Sequence, residues 1–197
     1  MRNNYITAEH LYDISLINSC AISPNGKYIL YAKQVTDKKI EKKYTNLWLV
    51  ASDGNSKPQQ FTSGQHSDSQ AKWAPDGTKI AFVSNRNNAK QAQIFVIPLC
   101  GGEAIAISDI KGEIALASWS PDGKKILFNW RKKDAEAIER AENPQKKELG
   151  IVAYHYTRTF YRYDGYGYLP KSRWNMAMID VESGEIEELT NLSLIHI

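Results

Sequence analysis

Apolar residues along this chain come in short runs broken by turn-forming residues, and one such run recurs three times. Ala21-Ile-Ser-Pro-Asn-Gly-Lys-Tyr-Ile-Leu-Tyr31 returns as Lys72-Trp-Ala-Pro-Asp-Gly-Thr-Lys-Ile-Ala-Phe82 and as Ser118-Trp-Ser-Pro-Asp-Gly-Lys-Lys-Ile-Leu-Phe128. Proline presets φ at the first corner of a turn, Asn or Asp tolerates the second, and glycine takes the left-handed position that sends the next strand back antiparallel. Each copy therefore predicts a hairpin. The strand after each turn is apolar at consecutive positions, as in Ile126, Leu127, Phe128 and Trp130, which predicts a strand covered on both faces.

A second hairpin follows in every copy. Asn46–Val50 leads to Asp53-Gly54 and then Gln59–Thr62; Gln93–Ile97 leads to Gly101-Gly102 and then Ala104–Ser108; Trp174–Ile179 leads to Ser183-Gly184 and then Glu185–Thr190. Four short antiparallel strands per unit, repeated with a period of about 50 residues, predict an all-β fold, a partial β-propeller of about three four-stranded blades. The blades are expected at about 15–65, 66–112 and 113–191 of an incomplete propeller domain covering 1–191. The third unit is longer than the others. Its extra material predicts a short helix over Lys132–Glu142, stopped by Asn143-Pro144, and then an aromatic hairpin within Ala153–Tyr168 that turns at Asp164-Gly165.

Composition narrows the function classes. Of 197 residues, 42% are apolar and 24% charged, the balance of a globular protein able to bury a core. No window approaches the roughly 18 uninterrupted apolar residues of a membrane helix, so no membrane partner is expected. The polar start, with Glu9, His10 and Asp13, lacks the apolar stretch of an export signal. Cys20 and Cys100 form no C-x-x-C pair and read as two half-buried thiols of a reducing compartment, so a cytoplasmic protein is expected. The net charge is +3, and its basic runs, such as Arg131-Lys132-Lys133-Asp134, are interrupted by acids. They read as solvated faces, and no nucleic-acid partner is expected.

The residues that could carry chemistry do not assemble from sequence alone. His10, His66, His155 and His196 have no ligand-like spacing with one another or with the cysteines, so no metal site is assigned. Gly165-Tyr-Gly167 is followed by Pro170 where a dinucleotide fingerprint needs its third glycine, and no cofactor is assigned. Glu136, Glu139 and Glu142 recur at three-residue spacing and read as a solvated helix face. His66-Ser67-Asp68 sets three triad residue types side by side, but neighbours on an extended chain point to opposite faces, and the segment reads as a polar loop between blades. No serine lies in a Gly-x-Ser-x-Gly elbow, so no catalytic residue is assigned. The tyrosine-rich stretch Tyr154–Tyr168, interleaved with Arg158 and Arg162, has the composition of base-stacking or sugar-binding surfaces and reads first as a hairpin packed on the propeller rim.

The three Pro-(Asp/Asn)-Gly turns with their strands resemble the propeller repeats of bacterial translocation-associated propellers and of the prolyl oligopeptidase family of serine peptidases. Ile6–Asp13, Phe82-Val-Ser-Asn-Arg86, Gly101-Gly-Glu-Ala104, Tyr161–Leu169 and Met178–Ile186, in that order, are similar to the acylaminoacyl peptidase and dipeptidyl aminopeptidase branch of that family. The resemblance implies a larger parent: an N-terminal propeller of about seven blades that admits small peptides to a C-terminal α/β-hydrolase domain carrying Ser, Asp and His. On this expectation the chain is a non-catalytic fragment whose partner is a peptide substrate met through the absent hydrolase domain, in a parent able to form homo-oligomers. The rival expectation is a stand-alone binding or scaffolding propeller. Leu192-Ser-Leu-Ile-His-Ile197 resembles the translation of a transposon-end adaptor and is expected to be a non-native tail on a truncated reading frame. An open arc of blades is expected to leave Ile126, Phe128 and Trp130 uncovered at its end.

Overall fold

The structure, a computed structural model, describes residues 5–148, 155–157, 159–164 and 167–191. The tail 192–197, and with it His196, lies outside the described residues, as do Tyr154, Arg158 and Gly165 of the aromatic run. After a 3-10 turn at Ala8–Tyr12, three four-stranded antiparallel sheets follow in chain order. The first is β1 Leu16–Ile22, β2 Tyr28–Asp37, β3 Lys42–Ala51 and β4 Gln59–Gln60. The second is β5 Asp68–Trp73, β6 Lys79–Ser84, β7 Gln93–Pro98 and β8 Ile105–Ala106. The third begins with β9 Gly112–Trp119 and β10 Lys125–Lys132, is interrupted by α1 Ala135–Glu142, α2 Pro144–Glu148 and the small hairpin β11 Arg162–Tyr163 and β12 Gly167–Tyr168, and resumes with β13 Trp174–Asp180 and β14 Ile186–Glu188. This is a partial β-propeller of three blades.

The repeated turns share one conformation. Gly26, Gly77 and Gly123 all take positive φ, at 70°, 72° and 70°, which a β-carbon disfavours. The residue before each glycine locks the turn with its own side chain: Asn25 Oδ1 accepts from the Lys27 N–H at 3.0 Å, Asp76 Oδ1 from Thr78 at 2.9 Å, and Asp122 Oδ1 from Lys124 at 3.0 Å. These bonds favour the ionised carboxylates. The Thr78 N–H and hydroxyl hold the Asp76 carboxyl below its usual range, and the Ser120 hydroxyl followed by the Lys124 N–H does the same for Asp122. A depressed folded pKa contributes stability that is present above the unfolded value, about 3.9, and is lost as pH falls through the folded one. Asn25 makes the equivalent bond without a titrating group, so the double variant Asp76→Asn, Asp122→Asn is expected to lose stability less steeply below about pH 4. Thermal melts across pH check this; an unchanged acid limb would contradict it.

Alternation along the second blade makes two cores. Ile80 and Phe82 of β6, with Phe95 and Ile97 of β7, face the first blade and join Leu30, Ala32 and Leu47. Ala81 and Val83, with Ile94 and Val96, face the third blade and join Leu116, Trp119, Ile126, Phe128 and Ile179. Side chains on a strand point alternately to opposite faces, so consecutive apolar residues satisfy two neighbours at once. The expected exposure of Ile126 and Phe128 is not seen: they are 1% and 0% exposed because their parity turns them toward the second blade, and Trp130 is half-buried.

Blade contacts repeat as regularly as the turns. Trp73 Nε1 donates to the Ala21 carbonyl at 3.2 Å, and Trp119 Nε1 donates to the equivalent Lys72 carbonyl at 3.1 Å. Each outer strand is clasped by a hydroxyl: Thr62 Oγ1 accepts from the Leu47 N–H at 3.0 Å, Ser108 Oγ from Ile94 at 2.8 Å, and Thr190 Oγ1 from Met176 at 2.8 Å. Gln93 copies a backbone strand, receiving the Ile110 N–H at 3.0 Å and donating to the Ile110 carbonyl at 2.9 Å, which satisfies buried groups of the inter-blade loop.

Other expectations are corrected. Lys132 belongs to β10, because β10 pairs with β13 as far as Arg131 opposite Trp174 and with β9 as far as Lys132 opposite Gly112. Asn143-Pro144 both ends α1 and starts α2: Asn143 Oδ1 accepts from the Gln145 N–H at 3.0 Å, and Pro144 stands at the first helical position, where no donor is needed. Cys20 and Cys100 are exposed rather than half-buried, one on the inner strand of the end blade and the other beside a tight turn.

Candidate functional site

Strand order divides the arc into two ends. One end holds only tight turns, the Pro-x-Gly turns and those at Gly54, Gly101-Gly102 and Gly184. The other holds the connections 38–41, 85–92 and 133–173 together with the inter-blade segments. Loops of varied length can present varied chemistry where uniform turns cannot, and among the described residues the buried Asp68–Arg86 pair and the aromatic insertion of the third blade lie at this second end.

His66-Ser67-Asp68 is more than a loop. Asp68 is fully buried at the start of β5, where its Oδ2 accepts from Arg86 Nη2 at 2.9 Å. Arg86 Nε donates to Ser84 Oγ at 3.2 Å, and its guanidinium lies 5.1 Å from the Phe82 ring centroid and 5.0 Å from that of Phe95. His66 Nε2 stands 3.5 Å from Asp68 Oδ2, on the same side because the two residues are two apart. Ser67 points away, its N–H donating to Asn85 Oδ1 at 2.8 Å. No serine joins the pair, so the cluster makes no nucleophile; the backbone beside it ties the first two blades together, the Thr45 N–H donating to the His66 carbonyl at 3.2 Å. Sequence reading missed Arg86 as the partner; the missed signal was an Asp opening one strand and an Arg just beyond the end of its neighbour, which antiparallel pairing of Asp68 with Ser84 brings together.

The insertion in the third blade forms a concavity at this end. Asp134 anchors its base, its carboxylate accepting from the backbone N–H groups of Ser172 at 3.2 Å and Lys171 at 3.4 Å. Between α1 and the aromatic hairpin lies a cavity of about 280 Å³ lined by Tyr156, Tyr168, Leu169, Pro170 and Ala137. Tyr156, Tyr161 and Tyr168 form one stack, with ring centroids 5.4, 5.6 and 6.4 Å apart. Arg162 lies over Tyr168 at 5.6 Å. His155 is at the cavity wall, whereas His10 is remote, accepting the Thr7 N–H at its own Nδ1. Glu136, Glu139 and Glu142 each meet a lysine: Lys171 at 3.9 Å, Lys146, and Lys111. Among the described residues no group of three His, Cys, Asp or Glu could hold a metal ion. The arrangement can bind and exclude; it offers no activated nucleophile.

Four-stranded blades that are joined by indole–carbonyl bonds and carry internal hydroxyl clasps and Pro-x-Gly turns define a β-propeller fold. Residues 39–154 match the family model described as the TolB beta propeller domain, and the chain belongs to that family. It is similar to the uncharacterized peptidase YuxL of Bacillus subtilis, 28% identical over 187 residues that cover 94% of this chain and 28% of the relative. Dipeptidyl-peptidase 5 of Porphyromonas gingivalis is 33% identical over 87 residues, 44% of this chain and 13% of its own. Among solved structures, acylaminoacyl peptidase of Pyrococcus horikoshii superposes with a TM-score of 0.67 at 18% identity, over 93% of this chain and 26% of that one. TolB from Acinetobacter baumannii gives 0.58 at 18% identity, over 90% and 33%. The chain thus spans under a third of the length of the curated relatives it matches.

Proposed function

We propose that this propeller is the non-catalytic, substrate-admitting portion of a serine peptidase of the acylaminoacyl or dipeptidyl peptidase kind, working on peptides that reach an α/β-hydrolase domain outside this chain. The observation that carries the reading is the extent of the likeness to a peptidase: 94% of the chain aligns with the Bacillus subtilis relative, well beyond the repeat turns that many propellers share. Size selection belongs to the proposal, because loops and an insertion crowd one end of the arc while the other is closed down to tight turns. A cytoplasmic site of action belongs to it too, motivated by the free, exposed thiols Cys20 and Cys100. The second reading is a binding propeller without a hydrolase, which the TolB likeness supports at a lower TM-score.

Acyl transfer needs a serine activated by histidine beside a preorganised oxyanion hole. The 197-residue chain is therefore expected to hydrolyse neither acylated dipeptides nor aminopeptidase substrates, whereas the extended gene product does so with sensitivity to a serine-directed covalent inhibitor. Turnover by the purified chain, or an extended gene without a Gly-x-Ser-x-Gly elbow, would move the weight to the binding propeller.

A further inference from the structure

We propose that the cavity between α1 and the aromatic hairpin of the third blade is a subsite for the aromatic side chain of a peptide. The inference rests on the peptidase reading for the identity of its ligand, and on the cavity's own chemistry for the rest. Its volume, about 280 Å³, exceeds the roughly 150 Å³ of an apolar cavity known to accept a benzene ring, and lies just below the range of drug-sized pockets. One ring with its adjoining backbone fits; a long ligand does not.

The walls select for a neutral ring. Asp134 and Glu136 are balanced by Arg140 and Lys171 around the opening. The Asp134 carboxylate is already engaged by two backbone N–H groups, and Glu136 faces Lys171. Neither cations nor phosphates are favoured by such a balance. What remains is ring surface: Tyr168, which lines the cavity with Tyr156, keeps 54% of its area exposed although it stacks on Tyr156 and on Tyr161 behind them. Aromatic pairs prefer offset or edge-on contacts at 4.5–7 Å and contribute beyond simple burial, so an entering phenyl or phenol ring extends a stack that already exists.

Placement agrees. The insertion joins β10 to β13 and so projects from the same end as the inter-blade loops, where a peptide admitted by the propeller would pass.

The test is a titration of the isotopically labelled 197-residue chain with N-acetyl-phenylalanine methylamide and, in parallel, N-acetyl-alanine methylamide, followed by amide chemical shifts. The phenylalanine probe is expected to shift resonances of residues 134–171 and to bind more tightly than the alanine probe. Tyr168→Ala should weaken it from about twofold to tenfold, the range of a single aromatic contact, and Tyr168→Phe should restore it. Should Tyr168→Ala disturb the spectrum globally, Tyr156→Ala, at the other ring lining the cavity, serves in its place. Equal binding of both probes, shifts confined to the tight-turn end, unchanged affinity in the alanine variants, or tighter binding of adenosine monophosphate would each overturn the proposal, the last in favour of a base-stacking surface. No turnover is measured. A parent lacking peptidase activity therefore sinks the peptidase reading while leaving this isotherm as it was found.

Discussion

Replacing Gly112 by alanine is expected to cost more than about 3 kcal/mol and to uncouple the first two strands of the third blade. Gly112 opens β9 with φ at +138°. A β-carbon there would lie 2.2 Å from the Arg131 carbonyl oxygen and 3.0 Å from both the Lys133 nitrogen and Trp130 Nε1. Two of those atoms belong to backbone, so no rotamer change relieves the clash. The same residue is held from the other side by Gln91, whose Oε1 receives the Gly112 N–H at 3.1 Å and whose Nε2 donates to its carbonyl at 2.7 Å. Gly102→Ala is the control: φ is +120°, but nothing lies within 4 Å of the added carbon, so only backbone strain of about 1–2 kcal/mol is expected. Urea denaturation of the two variants checks the difference; equal midpoints would show that close approach is not what glycine provides at position 112.

Asp68→Asn is expected to destabilise by about 3 kcal/mol, since removing one partner leaves a desolvated guanidinium without its counter-charge. Arg86 cannot easily escape to water, being held over Phe82 and Phe95 and bonded to Ser84. The double variant Asp68→Leu, Arg86→Met should recover much of the loss, because two apolar groups in place of a buried pair carry no desolvation penalty. An Asp68→Asn protein within about 1 kcal/mol of the parent in denaturant melts would reduce the pair to a passive contact.

These two sites differ in how far sequence could reach them. Pro24-Asn25-Gly26 and its copies are legible because turn chemistry is local: ring, short polar side chain and glycine settle the conformation within a few residues. Gly112 carries no such signal. Its constraint comes from Arg131 at the end of β10 and Lys133 just past it, and only strand pairing brings them within reach. Asp68 reads as a loop residue, and Arg86 gives no sign of being its partner, for the same reason. The helix was legible from its Ala, Glu and Lys content, yet its start was misplaced because β10 continues through Lys132, a boundary decided by pairing with β9. The tyrosine run was legible as a hairpin on the rim; that it leaves a cavity against α1 was not, since nothing in the run itself says how far the helix stands away.

By itself, then, the order of residues determined the repeat, the turn type, the four-strand blade and the membership of a propeller family, all of which follow from short-range conformational preference copied three times. Tertiary structure alone decided which face of each apolar strand meets which neighbour. A one-residue change of parity exchanges the two faces, and consecutive apolar residues such as Ile80, Ala81, Phe82 and Val83 are compatible with either. It also decided which polar groups are buried together, because Asp68 meets Arg86 through the pairing of β5 with β6, and Gln93 meets Ile110 through the path of the inter-blade loop, neither of which the chain encodes locally.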